Sequence, residues 1–277
     1  MNKRGLLWLF VGLGLLLCVA VAFLFLNPGE NAPPETSAST VCTTTVQTTT
    51  AQETLAEPEF AYQGDYLTCI NRTSILGIDV SSFQKNVDWE KVKSAGVEFV
   101  MIRIGFRGYG VKGVVCEDSY AQSNYQKAKA AGLQIGGYFF SQATSREAAI
   151  EEANYVLRLT NDWEMDMPIA YDWECHTEEY RTYGVTPQVL TDCTKAFCDT
   201  ILSAGKDCMI YYNLSQNPKE MLMEELTDYA FWIGQYADRL SYARPVSMWQ
   251  YSCTGTVPGI SGSVDMNLFF PEPISDS

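Results

Sequence analysis

The sequence predicts an α/β protein whose folded part is an irregular TIM-like barrel of the (β/α)5(β)3 type, preceded by an N-terminal transmembrane helix and a disordered stalk. Short apolar runs alternate with helical stretches, the last third holds strand-like runs with little helix between them, and the first 66 residues differ in composition. A doubly wound open sheet is the alternative. No glycine-rich nucleotide-binding motif follows the first strand.

The first 26 residues predict a membrane anchor. Lys3 and Arg4 precede residues 5–26, an apolar run without a charge. About 20 apolar residues span a bilayer, and basic residues before the span place the N-terminus inside the cell. The run continues beyond Ala20-Val21-Ala22, which resembles a signal-peptide cleavage site. We therefore expect an uncleaved single-pass anchor with the rest of the chain extracellular, and a secreted form is the alternative.

Residues 27–66 predict an extracellular linker. This segment is rich in Thr, Pro, Ala and Glu, so it buries too little apolar surface to fold and is typical of an extended stalk. Residues 67–277 then form the folded domain, with eight strand-like runs. The runs are 74–80, 99–104, 134–140, 167–174, 208–212, 229–236, 245–251 and 262–268.

Helical stretches separate the first five of these runs. They cover residues 88–95, 118–131, 145–160 and 187–204. Three of them end in Ala-Gly, at Gly96, Gly132 and Gly205, which predicts left-handed cap residues. This βα alternation predicts a parallel sheet that closes into a barrel.

Composition limits the chemistry. The net charge is −14, with 33 acidic against 19 basic residues, which excludes a typical nucleic-acid binder. His176 is the only histidine, so a histidine-cluster metal site is impossible and a Ser-His-Asp or Cys-His mechanism would depend on His176 alone. Asp and Glu are therefore the expected acid–base groups.

The segment Asp172-Trp173-Glu174 ends the fourth strand-like run. Side chains alternate along a strand, so Asp172 and Glu174 point to one side and Trp173 to the other. Neighbouring carboxyls separate their pKa values, so one keeps a proton while the other stays charged. Glycoside hydrolysis needs this combination of an acid and an anion. Two solvated strand-end acids are the simpler interpretation of the pair taken alone.

Two further acids favour the catalytic interpretation. Asp79 ends the first strand-like run, and Asp265 lies on the last one. The first and last strands of a closed barrel are neighbours, so four acids are expected to share one bowl. Aromatic rings stack on sugars, although core packing is the competing explanation for about half of those in this chain. The substrate-binding candidates are Tyr138, Tyr171, Tyr212, Trp232, Trp249 and Gln250.

Eight short motifs in order resemble those of glycoside hydrolase family 25, a family of lysozymes. The motifs are Gly77-Ile-Asp-Val-Ser81, Phe99-Val-Met-Ile-Arg103, Gly137-Tyr138-Phe139-Phe140, Asp172-Trp-Glu174, Ile210-Tyr-Tyr212, Phe231-Trp-Ile233, Met248-Trp-Gln-Tyr251 and Val264-Asp-Met-Asn267. The resemblance implies the irregular barrel and hydrolysis of the β-1,4 bond between N-acetylmuramic acid and N-acetylglucosamine in peptidoglycan.

The resemblance also implies roles for the four acids. Glu174 would be the general acid. Asp172 would assist, either as a direct stabiliser or by orienting the substrate's own N-acetyl group as nucleophile. Asp79 and Asp265 would shape the pocket and tune its charge. No metal or organic cofactor is expected.

The expected partners are peptidoglycan glycan strands and, through the N-terminal helix, the membrane. We expect neither nucleic acid nor a required protein partner. Two alternatives to the muramidase remain open, namely a glycan-binding domain without catalysis and a hydrolase of another N-acetylated glycan.

Overall fold

The computed structural model describes residues 57–175, 178, 180–214 and 221–274. Its strands are β1 (Phe60–Gln63), β2 (Tyr66–Cys69), β3 (Ile75–Val80), β4 (Phe99–Arg107), β5 (Val115–Glu117), β6 (Gln134–Ser141), β7 (Ile169–Trp173), β8 (Cys208–Asn213), β9 (Ala230–Gly234), β10 (Val246–Gly255) and β11 (Val264–Ile274). Its α-helices are α1 (Trp89–Ser94), α2 (Ala121–Ala130), α3 (Arg146–Leu159) and α4 (Pro187–Ser203).

Eight strands close into a barrel, as the sequence predicts. Their order is β3-β11-β10-β9-β8-β7-β6-β4, β3 also pairs with β4 to complete the ring, and β5 extends the sheet beside β4. All neighbours in the ring are parallel except β11, which is antiparallel to both β10 and β3. A short loop rather than a helical crossover joins β10 to β11, so the chain reverses there.

Two details differ from the predicted (β/α)5(β)3 pattern. In the part of the chain that the structure describes, α-helices follow only the first four barrel strands, and β8 is followed by the short 3₁₀ helix Met223–Glu225. The antiparallel direction of β11 brings the beginning of this strand, rather than its end, to the edge where the parallel strands finish. Asp265 reaches that edge because it is the second residue of β11.

Local sequence signals explain the helices. Asp88, Ser145 and Thr186 accept backbone N–H groups at the starts of α1, α3 and α4. The predicted glycines that follow α1, α2 and α4 all have positive φ, with values of 95° at Gly96, 80° at Gly132 and 75° at Gly205. A residue without Cβ therefore ends each of these helices before the next strand.

The core has two layers. Inside the barrel, one end is filled by the apolar side chains of Phe99, Met101, Met167 and Met248. This end is opposite the acidic cleft described below. A Cβ on Gly77 would collide with the ring of Phe99, so glycine at that inward position makes room for this floor. A larger apolar layer packs the outer strand faces against the helices.

A separate hairpin, β1–β2, precedes the barrel. It includes residues 60–66, which the composition assigns to the linker. Phe60 packs edge-on against Trp249 at 4.9 Å and Phe270 at 6.3 Å between ring centroids, so an aromatic contact holds the hairpin on the barrel.

The predicted anchor and most of the predicted stalk lie outside the described residues, as does His176. In the described ranges, none of the helices has the length and apolarity required to cross a bilayer.

Candidate active site

An acidic cleft of about 210 Å³ opens at the barrel edge where the parallel strands end. Every barrel strand from β3 to β11 contributes to this edge through an inward-facing side chain. The lining residues are Asp79, Ser81, Phe83, Gln84, Arg103, Tyr138, Phe140, Asp172, Glu174, Tyr211, Trp232, Tyr236, Gln250 and Asp265. The structure thus brings the four predicted acids into one concave site.

Asp79 and Asp265 come from the strands that close the barrel. They are directly opposite each other in the antiparallel β3–β11 pair, so both side chains lie on the inner face. Asp79 is 6% exposed, whereas Asp265 is partly exposed. Closure of the ring therefore places two carboxyls from distant parts of the chain side by side.

Asp172 and Glu174 lie on one side of the chain and Trp173 on the other, as alternation predicts. Asp172 is 6% exposed in the cleft, and its Oδ1 is buried without a hydrogen-bond partner among the described residues. Trp173 is buried on the outer face, where its Nε1 donates to the Ala143 carbonyl at 2.9 Å. Glu174 follows the last residue of β7 and is partly exposed at the cleft wall.

Two side-chain amides hold Asp79. Gln250 Nε2 and Asn267 Nδ2 both donate to Asp79 Oδ2, at 2.9 Å and 2.8 Å. Tyr211 donates its hydroxyl proton to Gln250 Oε1 at 2.8 Å, and Trp232 Nε1 donates to Asn267 Oδ1 at 2.8 Å. These bonds fix the amide orientations, so the acidic cleft has a preorganised wall.

The backbone carbonyl of Glu174 is held by a buried clamp. Gln142 Nε2 donates to it at 2.7 Å. Thr182 Oγ1, which has one proton to donate, lies 3.3 Å from the same carbonyl oxygen and 3.2 Å from Gln142 Oε1. Gln142 and Thr182 are both 0% exposed. Because Glu174 lies beyond the end of its strand, these bonds replace the strand ladder that would otherwise fix its backbone.

The cleft favours protonated carboxyls. Burial raises the pKa of Asp79 to about 6, although the amides of Asn267 and Gln250 oppose part of this rise. Burial and the charge of Asp79 raise the pKa of Asp265 to about 8. Burial, with the charges of Glu174 and Asp79, raises the pKa of Asp172 well above its usual value. The cluster therefore retains protons at neutral pH.

Arg103 is the one basic side chain among the described residues that line the acidic cleft. Its Nε donates to Asp118 Oδ2 at 2.8 Å, and its Nη2 donates to Ser82 Oγ at 3.1 Å. The guanidinium also lies over the rings of Phe83 and Phe106, at 5.1 Å and 5.4 Å from their centroids. The ion pair with Asp118 and these rings fix a positive charge beside the acids.

Three of the predicted substrate-binding residues line the acidic cleft. Tyr138, Trp232 and Gln250 face inward, and the rings of Tyr138 and Trp232 meet edge-on at 6.0 Å between centroids. Trp232 and Gln250 are buried and their polar atoms already form hydrogen bonds within the cleft wall, whereas Tyr138 is partly exposed.

The prediction is wrong for Tyr171, Tyr212 and Trp249, which belong to the outer apolar layer. Tyr171 packs against Phe197 of α4 at 4.8 Å between ring centroids, and Trp249 Nε1 donates to the Gln235 carbonyl at 2.8 Å. Each of the three is next in sequence to an inward residue, so strand alternation turns it away from the cleft.

Tyr211, Tyr236 and Arg103 are cleft residues that the sequence-based prediction omits. A signal existed for Arg103, because it continues the inward alternation of Phe99 and Met101. The β7–β8 register pairs Tyr211 with Asp172, and this register is not readable from the sequence.

An aromatic pocket of about 460 Å³ adjoins the acidic cleft. Tyr109 and Tyr180 stack in its wall with ring centroids 4.8 Å apart. Glu174 lines both concavities, whereas Asp79, Asp172 and Asp265 line only the acidic cleft. The pocket is lined by Ser82, Phe83, Arg103, Phe106, Arg107, Gly108, Tyr109, Phe140, Glu174 and Tyr180.

A buried ion pair lies beside the aromatic pocket, which Arg107 helps to line. Arg107 Nε donates to Glu152 Oε1 at 2.6 Å, and the other carboxylate oxygen, Oε2, accepts from Ser141 Oγ at 2.6 Å. Ser141 Oγ is also 3.0 Å from the Tyr171 hydroxyl oxygen. This network ties α3 to the ends of β4, β6 and β7, the strands that carry one side of the cleft.

Comparison with known proteins identifies related sequences. The profile of glycosyl hydrolases family 25 matches residues 78–260. The autolytic lysozyme of Clostridium acetobutylicum is 30% identical over 194 residues, which cover 70% of this chain and 55% of that protein. Lysozyme M1 of Streptomyces globisporus is 28% identical over 207 residues, which cover 71% of this chain and 68% of that protein. The chain thus spans little more than half the length of the clostridial relative.

A solved structure shares the architecture. The bacterial lysozyme of Streptomyces coelicolor superposes with a TM-score of 0.58 at 27% identity, over 71% of this chain and 92% of that one.

Proposed function

Because the chain belongs to glycoside hydrolase family 25, we propose that it is a lysozyme-type muramidase that cleaves the β-1,4 bond between N-acetylmuramic acid and N-acetylglucosamine in peptidoglycan. The observation that carries this proposal is the acidic cleft, in which four carboxyls share one opening and three of them have a raised pKa. Glycosidic cleavage needs a proton for the leaving oxygen and negative charge near the developing oxocarbenium ion.

Glu174 is the general acid in this proposal. It is the only one of the four carboxyls that lines both the acidic cleft and the aromatic pocket. A sugar ring in each concavity would place the bridging oxygen beside Glu174. The clamp on its backbone carbonyl fixes the point from which the side chain extends, and a general acid needs such fixed geometry.

Asp172 assists from the cleft interior. It is 6% exposed in the cleft, so a substrate group reaches the exposed part of its side chain rather than Oδ1, which is buried without a partner among the described residues. As a hydrogen-bond acceptor it orients the N–H of the substrate's N-acetyl group so that the acetyl oxygen attacks, and in its ionised fraction it stabilises positive charge on the sugar. Asp79 and Asp265 raise the pKa of Asp172 and complete the cleft.

Digestion of purified peptidoglycan by the purified protein tests the reaction. The products are reduced with borohydride and identified by mass spectrometry. Reduced muramic acid at the new chain ends supports the muramidase. Reduced glucosamine at the new chain ends, or cleavage of chitin but not of peptidoglycan, would indicate a hydrolase of another specificity. Binding without any cleavage would indicate a glycan-binding domain.

Substitution of the acid tests the assignment of Glu174. We expect Glu174→Gln to lower kcat on peptidoglycan by roughly 10²- to 10⁴-fold, with binding retained, because the amide cannot donate a carboxyl proton. Glu178→Gln is the matched control, since Glu178 is exposed and lines neither concavity. A kcat for Glu174→Gln close to that of the control would remove Glu174 from this role.

We also propose that residues 5–26 anchor the protein in the membrane, with the N-terminus inside and the catalytic domain outside. The uncharged apolar run after Lys3 and Arg4 supports this proposal. Alkaline carbonate extraction of membranes and protease treatment of intact cells test it. An intact N-terminus in the pellet and an accessible domain agree with the anchor, whereas a soluble protein cleaved near Ala22 does not.

A further inference from the structure

A second concavity lies on the outer side of the barrel, between the N-terminal hairpin and the end of β10. This hairpin groove has a volume of about 650 Å³, and ligand pockets usually have volumes of roughly 300–1,000 Å³. It is lined by Tyr62, Asp65, Tyr66, Tyr251, Ser252, Thr254, Gly255, Thr256, Val257, Pro258, Ile260 and Met266. The hairpin lies before residue 78, where the match to the family profile begins, and it packs on the barrel through Phe60.

We propose that the hairpin groove is a second carbohydrate-binding site, which holds a neutral N-acetylated glycan segment apart from the acidic cleft. The proposal rests on the proposed function for its substrate class.

Aromatic and hydroxyl groups support a carbohydrate ligand. Three tyrosines line the groove, and Ser252, Thr254 and Thr256 add hydroxyl groups. Sugars present apolar C–H faces to rings and hydroxyls to polar groups, so this mixture suits them. Tyr62 is 54% exposed, and its hydroxyl donates to Asp238 Oδ1 at 3.0 Å, which holds the ring in place. An immobilised exposed ring binds with little loss of side-chain entropy.

The charge of the groove selects against other ligands. No Lys or Arg is among its lining residues, and Asp65 is its only charged one. Phosphate, nucleic acid and anionic wall polymers need basic groups, so these ligands are disfavoured. An uncharged hydroxylated ligand remains, and Asp65 is available to accept its hydroxyl protons.

The groove and the acidic cleft share two strands. On β10, Gln250 faces the acidic cleft and Tyr251 faces the groove. On β11, Asp265 faces the acidic cleft and Met266 faces the groove. The two concavities are therefore on opposite faces of β10 and β11. A wall strand held in the groove raises the local concentration of glycan at the cleft, as in other linked binding sites.

Binding is tested on full-length protein carrying Glu174→Gln, which prevents turnover. The probe is N-acetylglucosamine tetramer, a neutral β-1,4-linked glycan, titrated by calorimetry. We expect two classes of site, one of which is lost when Tyr62→Ala and Tyr66→Ala are added. Tyr155→Ala on α3 is the matched control, because Tyr155 lines neither concavity. Absence of binding in the parent, or binding that the tyrosine substitutions leave unchanged, would overturn the proposal.

Turnover gives a second measurement in protein with Glu174 intact. The rate on insoluble peptidoglycan is divided by the rate on a short soluble muropeptide glycan, which reports the acidic cleft alone. We expect the tyrosine substitutions to lower this ratio about 5-fold, from the loss of ring stacking. An unchanged ratio would contradict the second site while leaving the proposed reaction intact. Absence of cleavage of both substrates by the parent protein would refute the reaction, and the titration would still decide the site.

Discussion

The charge on Asp79 lowers the stability of the fold, and Asp79→Asn tests this directly. Asp79 Oδ2 accepts two amide N–H groups, and the carboxamide oxygen of the variant accepts the same two bonds. The substitution therefore removes the buried charge and keeps the shape. Because each pKa unit is worth about 1.4 kcal/mol, a pKa raised from 3.8 to about 6 corresponds to roughly 3 kcal/mol.

The sign of the effect follows from proton linkage. The folded state binds the Asp79 proton more tightly than the unfolded chain does, so ionisation destabilises the fold. The cost is small near pH 4, grows as the pH rises towards 6, and is complete above it. The variant escapes this cost. We expect its free energy of unfolding, relative to that of the wild type, to increase by about 2 kcal/mol between pH 4.5 and 7.5.

Urea denaturation at both pH values, followed by tryptophan fluorescence, measures the effect. The relevant quantity is the change with pH in the difference between the two free energies of unfolding. A difference that does not depend on pH reports packing alone. Asp228→Asn is the control, since Asp228 is an exposed carboxyl outside the cleft. A stability difference that stays constant from pH 4.5 to 7.5 would refute the reasoning about buried charge.

Three further substitutions test the surrounding structure. Gln142→Glu should lower kcat by about 10-fold relative to the wild type at pH 8, because the new carboxylate repels the Glu174 carbonyl. The kcat of the variant should rise again towards the wild-type value at pH 4.5, where the protonated acid donates to that carbonyl. Profiles of kcat against pH measure both effects. Glu152→Gln should destabilise the fold by roughly 2 kcal/mol in urea titrations, because Arg107 loses its buried anionic partner and keeps only the exposed carboxylate of Glu151. An unchanged midpoint would contradict this. Tyr211→Phe removes the hydrogen bond to Gln250 and should lower the free energy of unfolding by about 1 kcal/mol, measured by denaturation. In steady-state kinetics it should lower kcat more than it changes KM. Equal effects on both constants would argue against a role in preorganisation.

The sequence predicts the barrel well because its signals are local. Alternating strands and helices, together with the three glycines that end helices, follow from side-chain periodicity and backbone conformation. The direction of β11 follows from the short loop before it, and loop length is a weaker signal. The hairpin β1–β2 is missed because two strands of four residues give little periodicity, and Phe60 is held by distant aromatic rings.

Within the site, the alternation of side chains along each strand decides which of the predicted residues line the acidic cleft. Alternation applied to Asp172, Trp173 and Glu174 gives the observed arrangement. The same rule prevents Trp249 and Gln250, which are adjacent in β10, from both facing the cleft. For Tyr211 and Tyr212, alternation shows that only one of them faces inward, but nothing within β8 shows which one. The register with β7 decides this, and it depends on contacts between distant segments.

The position of Asp265 on the last strand of the barrel has a consequence for the order in which the acidic cleft is completed. The chain emerges from N- to C-terminus, and β11 is the last barrel strand to become available. Until β11 inserts between β3 and β10, the ring is open and one of its four acids is missing. A chain without β11 therefore has an open ring and an incomplete acidic cleft, so the four acids come together only after the whole domain is available to fold.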